Sequence, residues 1–268
     1  MSEHAEKFLS QAQEVPPTGR ESAGVNEAAL LAQQEAEARG NMYGFLATVY
    51  LRPPEQDLVR QVVAKDFLAE LSSLFGGEAV AGLKNFAATV RVDKAIPSLK
   101  QEYMDLFAVP TGRYVTPFED VYRGKPVEGK QERGPLLGER AIAVRRIYRE
   151  AGAEMDRACK ELPTHIGVEL SFMSFLCERE AAAIRSEEGN GLQDQEKRKA
   201  MDSDRYRELQ VRFLQEHLND WFSQLSQAIQ ANAKSPFYKG LALITAEFLA
   251  RDTASLSAQS DSDEHTRA

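Results

Sequence analysis

The sequence is poor in cysteine and has no long apolar run. Cys159 and Cys177 are the only cysteines among 268 residues, and they form no CxxC pair. This excludes a disulfide-stabilised scaffold and a zinc module. No stretch reaches the roughly 18 apolar residues of a membrane span, and the most apolar window, 241–250, contains Glu247. Residues 1–19 show no basic region followed by an apolar one, so we expect a cytoplasmic protein without stable membrane insertion.

An excess of basic residues is also missing. Lysine and arginine total 33 against 41 aspartates and glutamates, which gives a net charge of −8. A nucleic-acid-binding protein needs a basic face, so this balance argues against such a partner and favours cationic ones. Apolar residues nevertheless make up 43% of the chain, which excludes wholesale disorder.

Alternating strand patterns are absent, and helical periodicity takes their place. Val168, Phe172, Phe175 and Leu176 follow the spacing of one helix face, and similar stripes recur from residue 41 onward. The sequence therefore predicts an all-α fold, a single bundle of about ten helices. The predicted helical domain covers residues 27–251. The polar segments 1–26 and 252–268 are expected to be disordered tails.

A Gly/Pro-rich middle loop interrupts the helical pattern. Residues 108–138 contain nine of the chain's 28 glycines and prolines. A loop of this length inside a compact helical protein is uncommon and often functional. A second, charged and Gly-punctuated segment at 186–204 is expected to be a linker or a loop.

Familiar catalytic patterns fail when they are tested residue by residue. Gly124, Gly129 and Lys130 have the spacing of a phosphate-binding loop, but Gln131 replaces the hydroxyl residue that holds Mg²⁺. This match is therefore interpreted as chance, and nucleotide binding is not expected. His165 and Glu169 could share a metal ion, but two ligands do not make a site. We predict no catalytic residues, no metal and no cofactor of the protein's own.

Four segments together carry a family resemblance. They are EYMDLFAVP (102–110), VTPFEDVYR (115–123), LPTHIGVELSFMSFLCERE (162–180) and FLQEHLNDWFSQLSQAIQANAKSPFYKGLA (213–242). In this order and spacing they resemble the TorD/DmsD/NarJ family of redox-enzyme maturation chaperones, and the resemblance covers roughly residues 40–250. Each segment alone is a weak signal, whereas the ordered set is specific.

The resemblance implies an all-helical cytoplasmic chaperone that is not an enzyme. Members of the family bind the N-terminal leader of a dimethyl sulfoxide reductase-type molybdoenzyme subunit, assist insertion of the molybdenum cofactor and prevent premature twin-arginine export. The implied partner is therefore the catalytic subunit of a molybdoenzyme. A transient contact with the client's cofactor, and an oligomeric state, both stay open.

The middle loop and the resemblance together suggest where a leader would bind. A leader with a cationic end and an apolar stretch needs an apolar surface with carboxylates at one end. The predicted contact residues are Tyr50, Tyr114, Pro117, Phe118, Glu119, Asp120, Tyr122, Thr164, His165 and Glu169. A structural interpretation stays open beside this one, in which Phe118 and Tyr122 pin the loop to the bundle and Glu119 is solvated.

Thr164 departs from the family pattern. In the signal-peptide-binding branch, aspartate commonly precedes the histidine at this helix start. Threonine can cap a helix but cannot pair with arginine. The pairing charge would then come from Glu119, Asp120 or Glu169, or the client leader would lack the twin arginine. Two alternative functions also stay open, a helical scaffold or regulator and a weak nucleotide-binding protein.

Overall fold

The computed structural model describes residues 27–110, 112–124, 126–127, 130–131, 134–188 and 202–267. The helices are α1 Glu27–Leu51, α2 Gln56–Val63, α3 Lys65–Leu74, α4 Gly77–Thr89, α5 Val92–Tyr103, α6 Glu119–Tyr122, α7 Glu139–Glu150, α8 Ile166–Glu188, α9 Ser203–Phe213, α10 Asn219–Asn232 and α11 Pro236–Arg267. Two π-helical turns, Met104–Ala108 and Leu214–Leu218, follow α5 and α9. In the middle loop, strand β1 Pro126–Val127 pairs antiparallel with β2 Lys130–Gln131. The predicted all-α bundle of about ten helices is confirmed.

The long helices α1 and α8 form the centre of the bundle and pack against each other. Small residues allow the close approach. A Cβ added at Gly167 would lie 2.5 Å from Leu51 Cγ, and one at Gly40 would lie 3.2 Å from Cys177 Cβ. A larger side chain at either position would crowd the facing helix, so these two glycines permit the close approach of α1 and α8.

The apolar stripes from which we predict the helices form the core of the bundle. Phe172, Met173 and Leu176 on α8 are fully buried, and so are Trp221 and Leu225 on α10. Burial of this kind removes apolar surface from water and supplies most of the stability of a helical bundle. These side chains are therefore structural, as their spacing predicts.

The last helix runs past the predicted domain boundary at residue 251. Helix α11 continues to Arg267, and Asp252 and Leu256 are buried. Asp252 accepts hydrogen bonds from Arg39 Nε at 2.5 Å and from the Tyr43 hydroxyl at 2.6 Å. The polar composition of 252–268 gives no sign of this anchoring, because the partners of Asp252 lie on α1, far away in the sequence.

Some sequence predictions fall outside the described residues. These are the tail at 1–26, the charged segment between 189 and 201, and the side chains of 125–133 within the glycine-lysine motif. Among the residues that the structure does describe, no helix is both long and apolar enough to cross a membrane.

Candidate functional site

The middle loop is attached to the start of α8 through the backbone. Glu119 N–H donates to the Thr164 carbonyl, and Ile166 N–H donates to the Pro117 carbonyl, both at 2.9 Å. These bonds flank an isolated antiparallel bridge between Phe118 and His165. We call the residues gathered here, Pro117–Tyr122 with Thr164–Glu169, His217 and Trp221, the loop junction.

His165, and not Thr164, caps helix α8. The His165 Nδ1 accepts a hydrogen bond from the Gly167 N–H at 3.0 Å, which satisfies one of the free donors at the helix start. Burial lowers the pKa of His165 to about 3, so the ring is neutral and carries its proton on Nε2. The Thr164 hydroxyl instead donates to Asp120 Oδ2 at 2.6 Å, tying the loop to the helix start. Both residues hold the loop in place.

Glu119 is completely buried and is paired with side chains from two other parts of the chain. Its carboxylate lies 2.9 Å from His217 Nδ1 and 3.3 Å from Arg123 Nη1. Arg123 also contacts Asp220 and the Glu216 carbonyl, each at 2.6 Å. The expectation of a solvated Glu119 is therefore wrong, because this carboxylate joins α6 to the turn between α9 and α10.

Glu169 is a second buried carboxyl in the loop junction. Its Oε2 accepts a hydrogen bond from Trp221 Nε1 at 3.1 Å, and its Oε1 has no partner among the described residues. Burial, together with the nearby charges of Glu119 and Asp120, raises the pKa of Glu169 well above its usual range. The group therefore favours its neutral form. The neighbouring His217 Nε2 is likewise buried without a hydrogen-bond partner among the described residues.

The aromatic residues of the loop junction pack onto the bundle. Tyr122 stacks on Trp221 with ring centroids 5.4 Å apart, and Phe118 meets the His165 ring edge-on at 5.3 Å. Phe118 and Tyr122 each keep part of their surface exposed. This is the pinning arrangement that the structural interpretation predicts, with some aromatic surface left for a partner.

The structure brings most, but not all, of the predicted contact residues together. Tyr50 is buried elsewhere in the core, with its hydroxyl 3.0 Å from Thr245 Oγ1. Tyr114 is half-buried earlier in the loop. The others meet in the loop junction, but Glu119, Asp120 and Glu169 are buried there and form no open acidic surface. His217 and Trp221, which the helical spacing assigns to the core, complete this cluster.

An open groove lies elsewhere, between α1, α3 and α11. Its volume is about 1120 Å³, and its apolar floor includes Met42, Phe45, Phe67, Leu71, Phe75 and Phe248. Exposed carboxylates, among them Glu35, Glu70 and Glu178, line its rim. Sequence reasoning missed this groove because its lining residues lie far apart in the sequence, on α1, α3 and α11, and no local pattern records that they meet.

A family model now gives the loop junction a context. The model described as "Nitrate reductase delta subunit" matches residues 76–227, which contain the whole loop junction. The chain belongs to this family. The resemblance to TorD/DmsD/NarJ-type chaperones is thereby confirmed.

A curated relative supports the same relationship. The chain is 22% identical over 242 residues to "Chaperone protein TorD" of Colwellia psychrerythraea, an alignment that covers 82% of this chain and 92% of the relative. The match therefore extends over nearly the full length of the relative and includes helices on both sides of the middle loop.

Proposed function

We propose that this protein is a cytoplasmic maturation chaperone for a dimethyl sulfoxide reductase-type molybdoenzyme. It binds the N-terminal leader of the catalytic subunit, keeps the subunit available for insertion of the molybdenum cofactor and prevents premature export. The observation that carries this proposal is the family match across residues 76–227. The TorD relative, whose name describes a chaperone, supports it along most of the chain.

The geometry favours binding over catalysis. In the loop junction, Glu119 is paired with His217 and Asp120 accepts from Thr164, so these polar groups stabilise the loop. A general acid or base must instead reach the proton that it transfers. The groove between α1, α3 and α11 offers what a peptide needs, an apolar floor that is open to solvent.

The predicted contact residues divide into two groups under this proposal. Tyr114, Phe118 and Tyr122 keep exposed surface and are proposed as secondary leader contacts. The buried members, Pro117, Glu119, Asp120, Thr164, His165 and Glu169, are proposed to hold the loop in the shape that presents those aromatic rings. Tyr50 is proposed as a core residue that keeps α1 against α11.

Leader binding tests the proposal directly. The probes are synthetic leaders copied from the N-termini of the molybdoenzyme catalytic subunits encoded in the source genome. We expect one of them to bind the full chain with a dissociation constant in the micromolar range or tighter, measured by calorimetry. Raising the ionic strength from about 0.05 M to about 0.5 M should weaken binding, because charge pairing contributes.

The matched control peptide has the same sequence with its arginines replaced by glutamine. We expect it to bind at least about tenfold more weakly, since the acidic protein then loses its cationic partner. If no leader binds the full chain, and the catalytic subunit does not copurify with the tagged protein from its own host, the proposed function is wrong. The scaffold or regulator alternative would then be preferred.

A further inference from the structure

The groove between α1, α3 and α11 runs lengthwise along α1. Lining residues on α1 extend from Glu35 through Met42 and Phe45 to Thr48. At 1.5 Å per residue this covers about 20 Å. Its volume of about 1120 Å³ exceeds the range of about 300–1,000 Å³ that is typical of small-molecule pockets. A short helix has the length and bulk to fill such a groove.

Apolar side chains are exposed along this groove. Leu74 on α3 lines it and is 48% exposed. Leu31 lies one helical turn before Glu35 on the same face of α1 and is 59% exposed. Exposed apolar surface is therefore also present beyond the groove, toward the start of α1. Exposed apolar surface arranged in this way is typical of a docking site for an amphipathic helix.

The charges around the rim favour a positively charged partner. Five carboxylates on the rim are exposed: Glu35, Glu55, Asp57, Glu70 and Glu178. Glu55 pairs with Lys100 at 2.6 Å and Asp57 lies 3.9 Å from Arg60, so the excess of negative charge is smaller than the number of carboxylates. Among the lining residues that the structure describes, two exposed side chains are cationic, Arg52 and Arg251. Arg251 already contacts Glu247 at 3.1 Å and lies over the Phe75 ring. The rim thus complements a basic helix.

The same charges disfavour occupants that come from this chain. A second copy carries a net charge of −8 and would be repelled by an acidic rim. Residues 1–26 contain Glu3, Glu6, Glu14 and Glu21 against Lys7 and Arg20, so this segment is also acidic overall. A basic segment of another protein fits better than either.

We infer that this groove binds the apolar, helical stretch of the client leader, with the leader's basic end against the rim carboxylates. The inference rests on the proposed function and names the surface that performs it. The leader packs its apolar face against Phe45, Phe67 and Leu74, which line the groove.

Two pairs of variants test the groove with the leader that binds the full chain. Leu74→Glu places a charge on the apolar wall, and Ile142→Glu is its control, since Ile142 is 65% exposed on α7 and does not line the groove. Glu70→Lys reverses a rim charge, and Glu154→Lys is its control at an exposed position outside the groove. Melting temperature and circular dichroism verify that each variant is folded.

We expect Leu74→Glu to raise the dissociation constant about tenfold or more. The variant loses an apolar contact with the leader, and binding would remove the new carboxylate from water. Glu70→Lys should raise it about three- to tenfold at low salt and less at high salt. Ile142→Glu and Glu154→Lys should leave it within about twofold. A photo-crosslinking residue at position 74, but not at 142, should capture the leader.

Contrary results separate the inference from the proposed function. If the leader binds the full chain and Leu74→Glu binds it equally well, the groove is not the site, although the chaperone function stands. Equal weakening by Ile142→Glu, or loss of a dimer in Leu74→Glu without a change in leader affinity, would also overturn the inference. Absence of leader binding to the unaltered chain would instead count against the proposed function.

Discussion

The loop junction and the groove both combine aromatic residues with carboxylates, yet they differ in what those groups contact. In the loop junction, Glu119 pairs with His217, and Glu169 accepts from Trp221. Along the groove, Glu70 and Leu74 face solvent. The first region uses its polar groups to stabilise the fold, and the second leaves them for a partner.

The difference shows why burial matters more than residue type in locating a binding surface. An ionised carboxylate held away from water is costly unless it is paired, so a buried one almost always serves the fold. On the rim of the groove, by contrast, the Glu70 side chain is exposed to solvent and can be reached by a cationic partner. Changes in the loop junction should therefore affect stability, and changes in the groove should affect binding.

The largest expected effect is on stability in the loop junction. Trp221 is fully buried, stacks on Tyr122 and donates to Glu169. Trp221→Ala should lower the free energy of unfolding by about 3–5 kcal/mol, because it opens a cavity and leaves the Glu169 carboxyl without its donor. Chemical denaturation measures this change.

A groove variant provides the matching control for Trp221→Ala. Leu74→Ala removes a side chain that is 48% exposed, and the free energy of unfolding should change by less than about 0.5 kcal/mol. Similar losses of stability for the two variants would remove the distinction between the regions. A loss below about 1 kcal/mol for Trp221→Ala would contradict the burial of its ring.

A smaller effect is expected where the loop returns to α6. A Cβ added at Gly134 would lie 1.9 Å from the Asp120 carbonyl oxygen, so this position requires glycine for close approach. Gly134→Ala should cost about 1–3 kcal/mol of unfolding free energy, because the loop must move off the junction. Limited proteolysis should detect faster cleavage within 108–138.

Gly112→Ala is the control for the loop, since a Cβ there would have no neighbour within 4 Å. This variant should retain both its stability and its resistance to proteolysis. Faster cleavage in Gly112→Ala as well would show that the loop responds to glycine replacement in general. The close contact at Gly134 would then not explain the result.

Sequence periodicity predicted the helical core well and the sites poorly, for a physical reason. Phe172 and Trp221 recur at helical spacing, and such spacing records directly which face is buried. A contact between distant residues produces no pattern in the local sequence. Glu119 and His217, for example, are 98 residues apart. The pairing of Asp252 with Arg39 could not be predicted for the same reason, since the two residues are 213 positions apart in the sequence.

The groove has a similar explanation. Met42, Leu74 and Phe248 come from three helices that are far apart in the sequence. Only the arrangement of the helices shows that their partly exposed apolar side chains face a common space. The family motifs indicated the loop junction instead. The residues of these motifs make the contacts that hold the middle loop in place.

The last prediction concerns pH and the Glu169 carboxyl. Burial raises the pKa of this group in the folded protein, whereas in the unfolded chain it ionises near its usual value of 4.5. As pH rises above 4.5, the unfolded chain loses this proton while the folded protein keeps it, so the group destabilises the fold progressively. Glu169→Gln removes the titratable carboxyl group and keeps a side-chain oxygen that can accept the hydrogen bond from Trp221 Nε1. The variant should therefore gain stability over the unaltered protein as pH rises from 5 to 8, measured by urea denaturation at each pH.

The titration of His165 contributes equally to the pH dependence of both proteins and cancels in the difference between their unfolding free energies. Glu154→Gln, at an exposed position, should show no such trend. A pH-independent difference for Glu169→Gln would mean that the carboxyl ionises as readily in the folded protein as in the unfolded chain.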